Sequence, residues 1–153
     1  MTKFFTRRGV LECFTALCAL VFLSPNVANA DINTNSSNRA IGGYDVVAYF
    51  TNRQPTRGLE EFRHSYAGAT WLFTSAENRD QFAARPQRYA PQYGGYCAYA
   101  MAQGRRVRID PRAWSIVRGK LYLNYSLQIR TTWSEDRAQH IESANENWLG
   151  LRP

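Results

Sequence analysis

The chain is short of the residues on which most small catalytic and metal centres are built. Its 153 residues include 3 Cys, 2 His and 2 Met. Two of the cysteines, Cys13 and Cys18, lie close to the N-terminus, so paired cysteines cannot form a disulfide framework. There is no CxxC pair, no HExxH, no GxSxG, no GxGxxG and no phosphate-binding loop, which removes the common sequence signals for zinc peptidases, α/β-hydrolases, dinucleotide enzymes and P-loop enzymes. No apolar run reaches the ~18–20 residues that cross a bilayer, so no transmembrane segment is expected. Acidic residues are also scarce beside basic ones, 12 against 19, giving a net charge of +7.

Apolar and aromatic residues are abundant. The chain is 44% hydrophobic and 14% aromatic, with 8 Phe, 4 Trp and 9 Tyr. That composition excludes wholesale disorder and suits one small domain with a core of large side chains.

Residues 1–30 read as a cleaved export signal. Lys3, Arg7 and Arg8 begin it, Leu17 to Leu23 form its apolar centre, and Ala28-Asn29-Ala30 is a small-residue cleavage site. Thr6-Arg7-Arg8-Gly9-Val10-Leu11 resembles a twin-arginine signal, although adjacent arginines also occur in general export signals. Either route places the protein outside the cytoplasm, in the periplasm of a bacterium, and makes nucleic acid an unsuitable partner. Cleavage removes Cys13 and Cys18 and leaves Cys97 as the one thiol. Residues 31–40, rich in Asn and Ser, are expected to form a flexible leader before a domain spanning 41–153.

The periodicities predict an α+β domain in which two β-hairpins pack against three or four helices. Phe62, His64 and Tyr66 alternate with Arg63 and Ser65, Ala67-Gly68 turns the chain, and Thr70 to Phe73 returns it. Thr74 is expected to cap a helix running to about Arg85, with Glu77 as capping-box partner and Pro86 as its stop. Tyr93-Gly94-Gly95-Tyr96 turns into a short helix carrying Cys97. Trp114 to Val117 and Leu121 to Tyr125 form the second hairpin about Arg118-Gly119-Lys120. A helical segment with Ile129, Trp133, Ile141, Ala144 and Trp148 on one face follows. No internal repeat in the usual range of roughly 20–50 residues stands out.

Cys97 is the reactive candidate. It sits at a helix start, where backbone N–H groups favour a thiolate, among Tyr93, Tyr96 and Tyr99. The bland reading is a small buried residue. His64, on the same strand face as Phe62 and Tyr66, is the more interesting histidine; His140 has no ligand pair nearby. The cluster Arg105-Arg106-Val107-Arg108 with Arg112 is read as a solvated loop, with an anionic surface as the sharper alternative.

Taken together, Ser65-Tyr66-Ala67-Gly68-Ala69-Thr70-Trp71-Leu72-Phe73-Thr74-Ser75, then Ala76-Glu77-Asn78, Phe82, Pro86 and Tyr89, resemble the YHS domain family. The stretches Gly42 to Phe50, Tyr93 to Ala98 and Gly119 to Tyr125 resemble its exported bacterial branch, which includes selenoproteins and usually has Pro where Val46 stands here. The resemblance implies a small treble-clef-like core and a transition-metal connection through cysteines. Those cysteines would fall at Ala48, Thr74 and Asn78, none of which supplies a thiolate, so the metal site does not carry over. It also implies thiol chemistry, placed at Cys97.

Three functions compete. The first is a non-enzymatic module binding a small ligand, metal ion or exported partner protein through His64, Tyr66, Tyr93, Tyr96 and Cys97, between the first hairpin and the Gly94–Met101 turn; Cys97 and His64 are its only candidate metal donors. The second is a thiol redox protein with Cys97 as its catalytic residue. The third is an interaction domain using the basic loop.

Overall fold

A computed structural model describes residues 31–151 of the chain. The expected export signal lies outside the described residues. The described part is an α+β domain of two antiparallel hairpins and six α-helices. In chain order these are α1 (Ala48–Thr51), β1 (Leu59–Tyr66), β2 (Ala69–Phe73), α2 (Ala76–Ala84), α3 (Pro86–Tyr89), α4 (Ala98–Met101), β3 (Asp110–Val117), β4 (Lys120–Asn124), α5 (Leu127–Glu135) and α6 (Arg137–Leu151). No helix among the described residues is long and apolar enough to cross a membrane.

Both hairpins close where the sequence places them. Ala67-Gly68 and Arg118-Gly119 each put two successive residues at positive φ (52° and 79°; 50° and 73°). This is the backbone that matches a two-residue turn to the twist of its strands. Helix α2 is capped by Ser75, whose hydroxyl accepts from Asn78 N–H at 3.1 Å, and not by the expected Thr74. Thr74 has a different use. Helix α2 ends at Ala84 before Pro86, as expected, and Pro86 then opens the separate short helix α3, because proline fits a first helical position that needs no N–H donor. The long C-terminal helix is in fact two, broken at Asp136.

The chain repeats itself at a spacing just beyond the range in which the sequence shows no repeat. Strands β1 and β3 each pair with a shorter return strand and each carry an irregularity between the first and second pairs of the ladder (Leu59/Arg63 and Asp110/Trp114). Ser75 and Ser126 cap α2 and α5 in the same way. Phe82 and Trp133 are the fully buried rings of those helices, which end on Arg85 and Asp136 with nearly equal backbone angles (φ −145°, ψ 63°; φ −134°, ψ 64°). Upstream, Ile41-Gly42-Gly43 and Tyr93-Gly94-Gly95 make the same run of three positive φ values (53°, 64°, 85°; 57°, 61°, 83°). The amides that follow are matched as well: Asp45 N–H donates to Thr56 O, and Cys97 N–H to Val107 O, both at 2.9 Å.

The two units share strand β4. Leu121 and Leu123 join Trp71, Phe73, Phe82 and Tyr49 in one cluster, while Tyr122 faces the other with Tyr93, Met101, Trp133 and Ala144. A strand with apolar groups on both faces cannot slip by one residue without inverting both clusters.

The segment 31–40 is a strap and not the free leader expected from its composition. Asn33 N–H donates to Gly94 O (2.9 Å), its side-chain amide donates to Gly95 O (3.0 Å), and Ala40 N–H donates to Thr70 O (2.9 Å). Asp31 pairs with Arg106 at 2.5 Å, and Ile32 packs on the first cluster. Polar composition misleads here because the polar groups are spent on the body's own backbone.

At the centre of the first unit is Asp45, fully buried. One carboxylate oxygen accepts from Val47 N–H (2.8 Å) and Ala48 N–H (3.2 Å), starting α1. The other accepts from Thr74 N–H and Thr74 Oγ1 (both 2.8 Å) and from Asn78 Nδ2 (2.7 Å). Removing a carboxylate from water costs several kcal/mol, and only a full set of donors offsets it. Asp45→Asn turns one acceptor into a donor facing donors. We expect a loss of about 3 kcal/mol in urea unfolding; a loss below about 1 kcal/mol would show that the network is dispensable.

Candidate functional site

The residues expected to form one site are divided among several places. Tyr66 and Tyr93 come together: they line a cleft of about 460 Å³ with Ile32, Trp148, Lys120 and Asn145. The cleft lies between the first hairpin and the glycine turn. Tyr93 is buried, and its hydroxyl donates to Asn145 Oδ1 at 3.0 Å, with Ile141 O at 3.3 Å. Gly94, at φ 61°, lies so close to Asp31 that a Cβ there would collide with the Asp31 carbonyl, so the cleft wall and the strap depend on the missing side chain.

His64, Tyr96 and Cys97 do not line this cleft. The His64 ring meets Phe82 edge-on at 6.1 Å, a packing role. Tyr96 donates to Asp31 Oδ1 at 3.0 Å, serving the strap. Among the described residues no group of three His, Cys, Asp or Glu is placed to hold a metal ion. His140 packs edge-on against Tyr99 at 5.1 Å, with Nδ1 3.0 Å from Trp133 O.

Cys97 is where the second unit has its equivalent of Asp45. It caps α4: Ala100 N–H points at Sγ at 3.5 Å and Tyr125 N–H at 3.3 Å, and the thiol donates to Asn124 Oδ1 at 3.7 Å. Tyr125 follows β4 as Thr74 follows β2, so the amide that serves the carboxylate in one unit serves the sulfur in the other. The residue is 1% exposed, yet a small cavity of about 190 Å³ lined by Tyr99, Arg105, Tyr125 and Ile129 reaches it. Asn124 is buried with its Nδ2 unpartnered.

The positions that the family resemblance assigns to thiols also converge. Ala48, Thr74 and Asn78 all donate to the Asp45 carboxylate, through N–H, N–H plus Oγ1, and Nδ2. These residues do not fit a metal ion. They offer no soft donor, and the only anionic oxygens among them already accept five hydrogen bonds.

Two of the four arginines of the basic loop are ion-paired. Arg106 pairs with Asp31 and Arg112 with Asp110, which holds the Asp110 carboxyl below its usual range chiefly through the side-chain hydrogen bond. Arg108 lies over the Tyr125 ring at 6.0 Å. A second cleft adjoining the first gathers three cations that form no ion pair among the described residues. It has a volume of about 500 Å³ and is bordered by Arg118, Lys120 and Arg137, and it shares Lys120 and Asn145 with its neighbour. Sequence reasoning missed it because its cations come from a hairpin turn and a helix start and form no run.

Comparison with known proteins adds no relative: no family model matches the chain, and neither a curated protein nor a solved structure does.

Burial raises the Tyr49 and Tyr93 phenols well above their ordinary range. The folded state therefore keeps both protonated where the unfolded chain ionises, near pH ~10. Their contribution to stability is complete below that pH and declines as pH rises towards the folded values. Urea midpoints should fall with pH above ~10, less steeply in Tyr93→Phe; equal slopes in the two proteins would contradict the assignment.

Proposed function

We propose that the protein is an exported, non-enzymatic binding module on a YHS-like, treble-clef-like scaffold, with a small ligand seated in the cleft lined by Tyr66 and Tyr93. The observation that carries this reading is the cleft itself. Two tyrosines, Ile32 and Trp148 from separate parts of the chain surround a space of about 460 Å³, an apolar wall with a few polar groups as small-molecule sites have. The family reading is supported by the convergence of Ala48, Thr74 and Asn78 on one buried group. In this chain that group is a carboxylate, so the binding role is assigned to the cleft and not to a metal centre.

Thiol redox chemistry is the second reading, favoured by the two amides directed at Cys97 Sγ and by the cavity beside it. Against it stands the match with Asp45, which makes Cys97 a capping residue whose sulfur is engaged in holding α4 to β4.

Two experiments separate the readings. Titration of the protein with phenol and indole, followed by amide NMR, should give saturable shifts centred on Tyr66, Tyr93 and Gly94, with affinity about fivefold lower in Tyr66→Ala. Shifts scattered over the surface, or none, would overturn the cleft reading. Alkylation of Cys97 should be at least about a hundredfold slower in the folded protein than in urea, as expected when access requires opening. Rapid native labelling would favour the redox reading instead.

A further inference from the structure

The repeat makes the second cleft stand out. Its three cations occupy positions that the first unit fills with small or neutral residues: Arg118 matches Ala67, Lys120 matches Ala69, and Arg137 matches Pro86. The scaffold therefore does not require charge at these places. Arg118 stands at φ 50° at the tip of its turn, as Ala67 does at φ 52°, so the turn itself is indifferent to the side chain it carries.

None of the three forms an ion pair among the described residues, and what sets them apart from other unpaired arginines is that they border one groove. Like charges gathered round one groove repel, so the cluster is a local cost to the folded state. One carboxylate, Glu142, shares the lining and leaves the cations in excess. Arg137 is braced with its guanidinium over the Trp133 ring at 5.3 Å. The same lining includes the buried Tyr122 ring and Ile141.

We propose that this groove is the site of a small organic polyanion. Its carboxylate or phosphate groups are held by Arg118, Lys120 and Arg137, and its carbon skeleton rests on Tyr122 and Ile141. Two guanidinium forks suit planar or tetrahedral oxyanions, and a lysine between them adds a mobile point charge. The cavity of about 500 Å³ admits a molecule of metabolite size and is too small for a folded partner. This inference rests on the binding-module reading and deepens it, because the groove adjoins the tyrosine cleft through Lys120 and Asn145.

The test is calorimetric titration of the protein with citrate and with inorganic pyrophosphate, so that carboxylate and phosphate recognition are told apart. Saturable one-to-one binding of either is expected, weakened about fivefold for each cation removed in Arg118→Ala and Arg137→Ala. Alanine is the residue that the first unit carries, at φ 52°, where Arg118→Ala places it, so the variant should fold normally. Lys120→Glu should abolish binding. Arg53→Ala, at an exposed arginine that lines neither cleft, should leave it unchanged. Absence of binding by both anions, or equal weakening by Arg53→Ala, would overturn the proposal. If phenol and indole still bound at Tyr66 and Tyr93, the module reading would survive that failure.

Discussion

A buried carboxylate with no cationic partner among the described residues governs the first half of this fold. Asp45 begins α1 with one oxygen and ties that turn to the end of β2 and the start of α2 with the other. Its charge is balanced by oriented N–H and O–H dipoles, an arrangement that works only if all of them arrive together. The consequence is a single geometry for the junction of loop, strand and helix. The hairpin then has a fixed platform from which Tyr66 reaches the cleft.

The second half solves the same problem with weaker means. Cys97 replaces the carboxylate, with two amides at sulfur distances and Asn124 as its side-chain neighbour. A thiol is cheaper to bury than a charge but accepts hydrogen bonds poorly. The second unit compensates through packing: Tyr122, Trp133, Tyr93 and Met101 close over each other, and α6 covers them. The units differ at the buried polar centre and on the rim, where Ala67, Ala69 and Pro86 of the first stand at the positions of Arg118, Lys120 and Arg137 in the second.

Local features were the most legible in the sequence. Both hairpins are announced by alternation and by a glycine at the second turn position, and Cys97 was correctly placed at a helix start. The duplication was written in Gly42-Gly43-Tyr44 and Gly94-Gly95-Tyr96, Gly68 and Gly119, Ser75 and Ser126, but few other side chains match. Its period also lies at the edge of the range in which repeats are usually sought. Thr74 was assigned a cap because Thr and Ser are both good caps, and only the position of Asp45 decides between them. The strap was misread because composition does not report which backbone groups polar side chains will meet. The candidate residues are scattered for a similar reason: alternation places His64 and Tyr66 on one strand face, but distant elements decide which of them meets a cavity.

The central claim is that Asp45 acts as a structural hub at the positions where the family resemblance would place a metal. Amide hydrogen exchange of the protein, read residue by residue with and without excess zinc, tests it most directly. The account predicts that the Val47 and Thr74 amides exchange as slowly as the hairpin ladders and that zinc leaves them unchanged. Exchange as fast as that of the Arg53 loop, or a change on adding zinc, would contradict it.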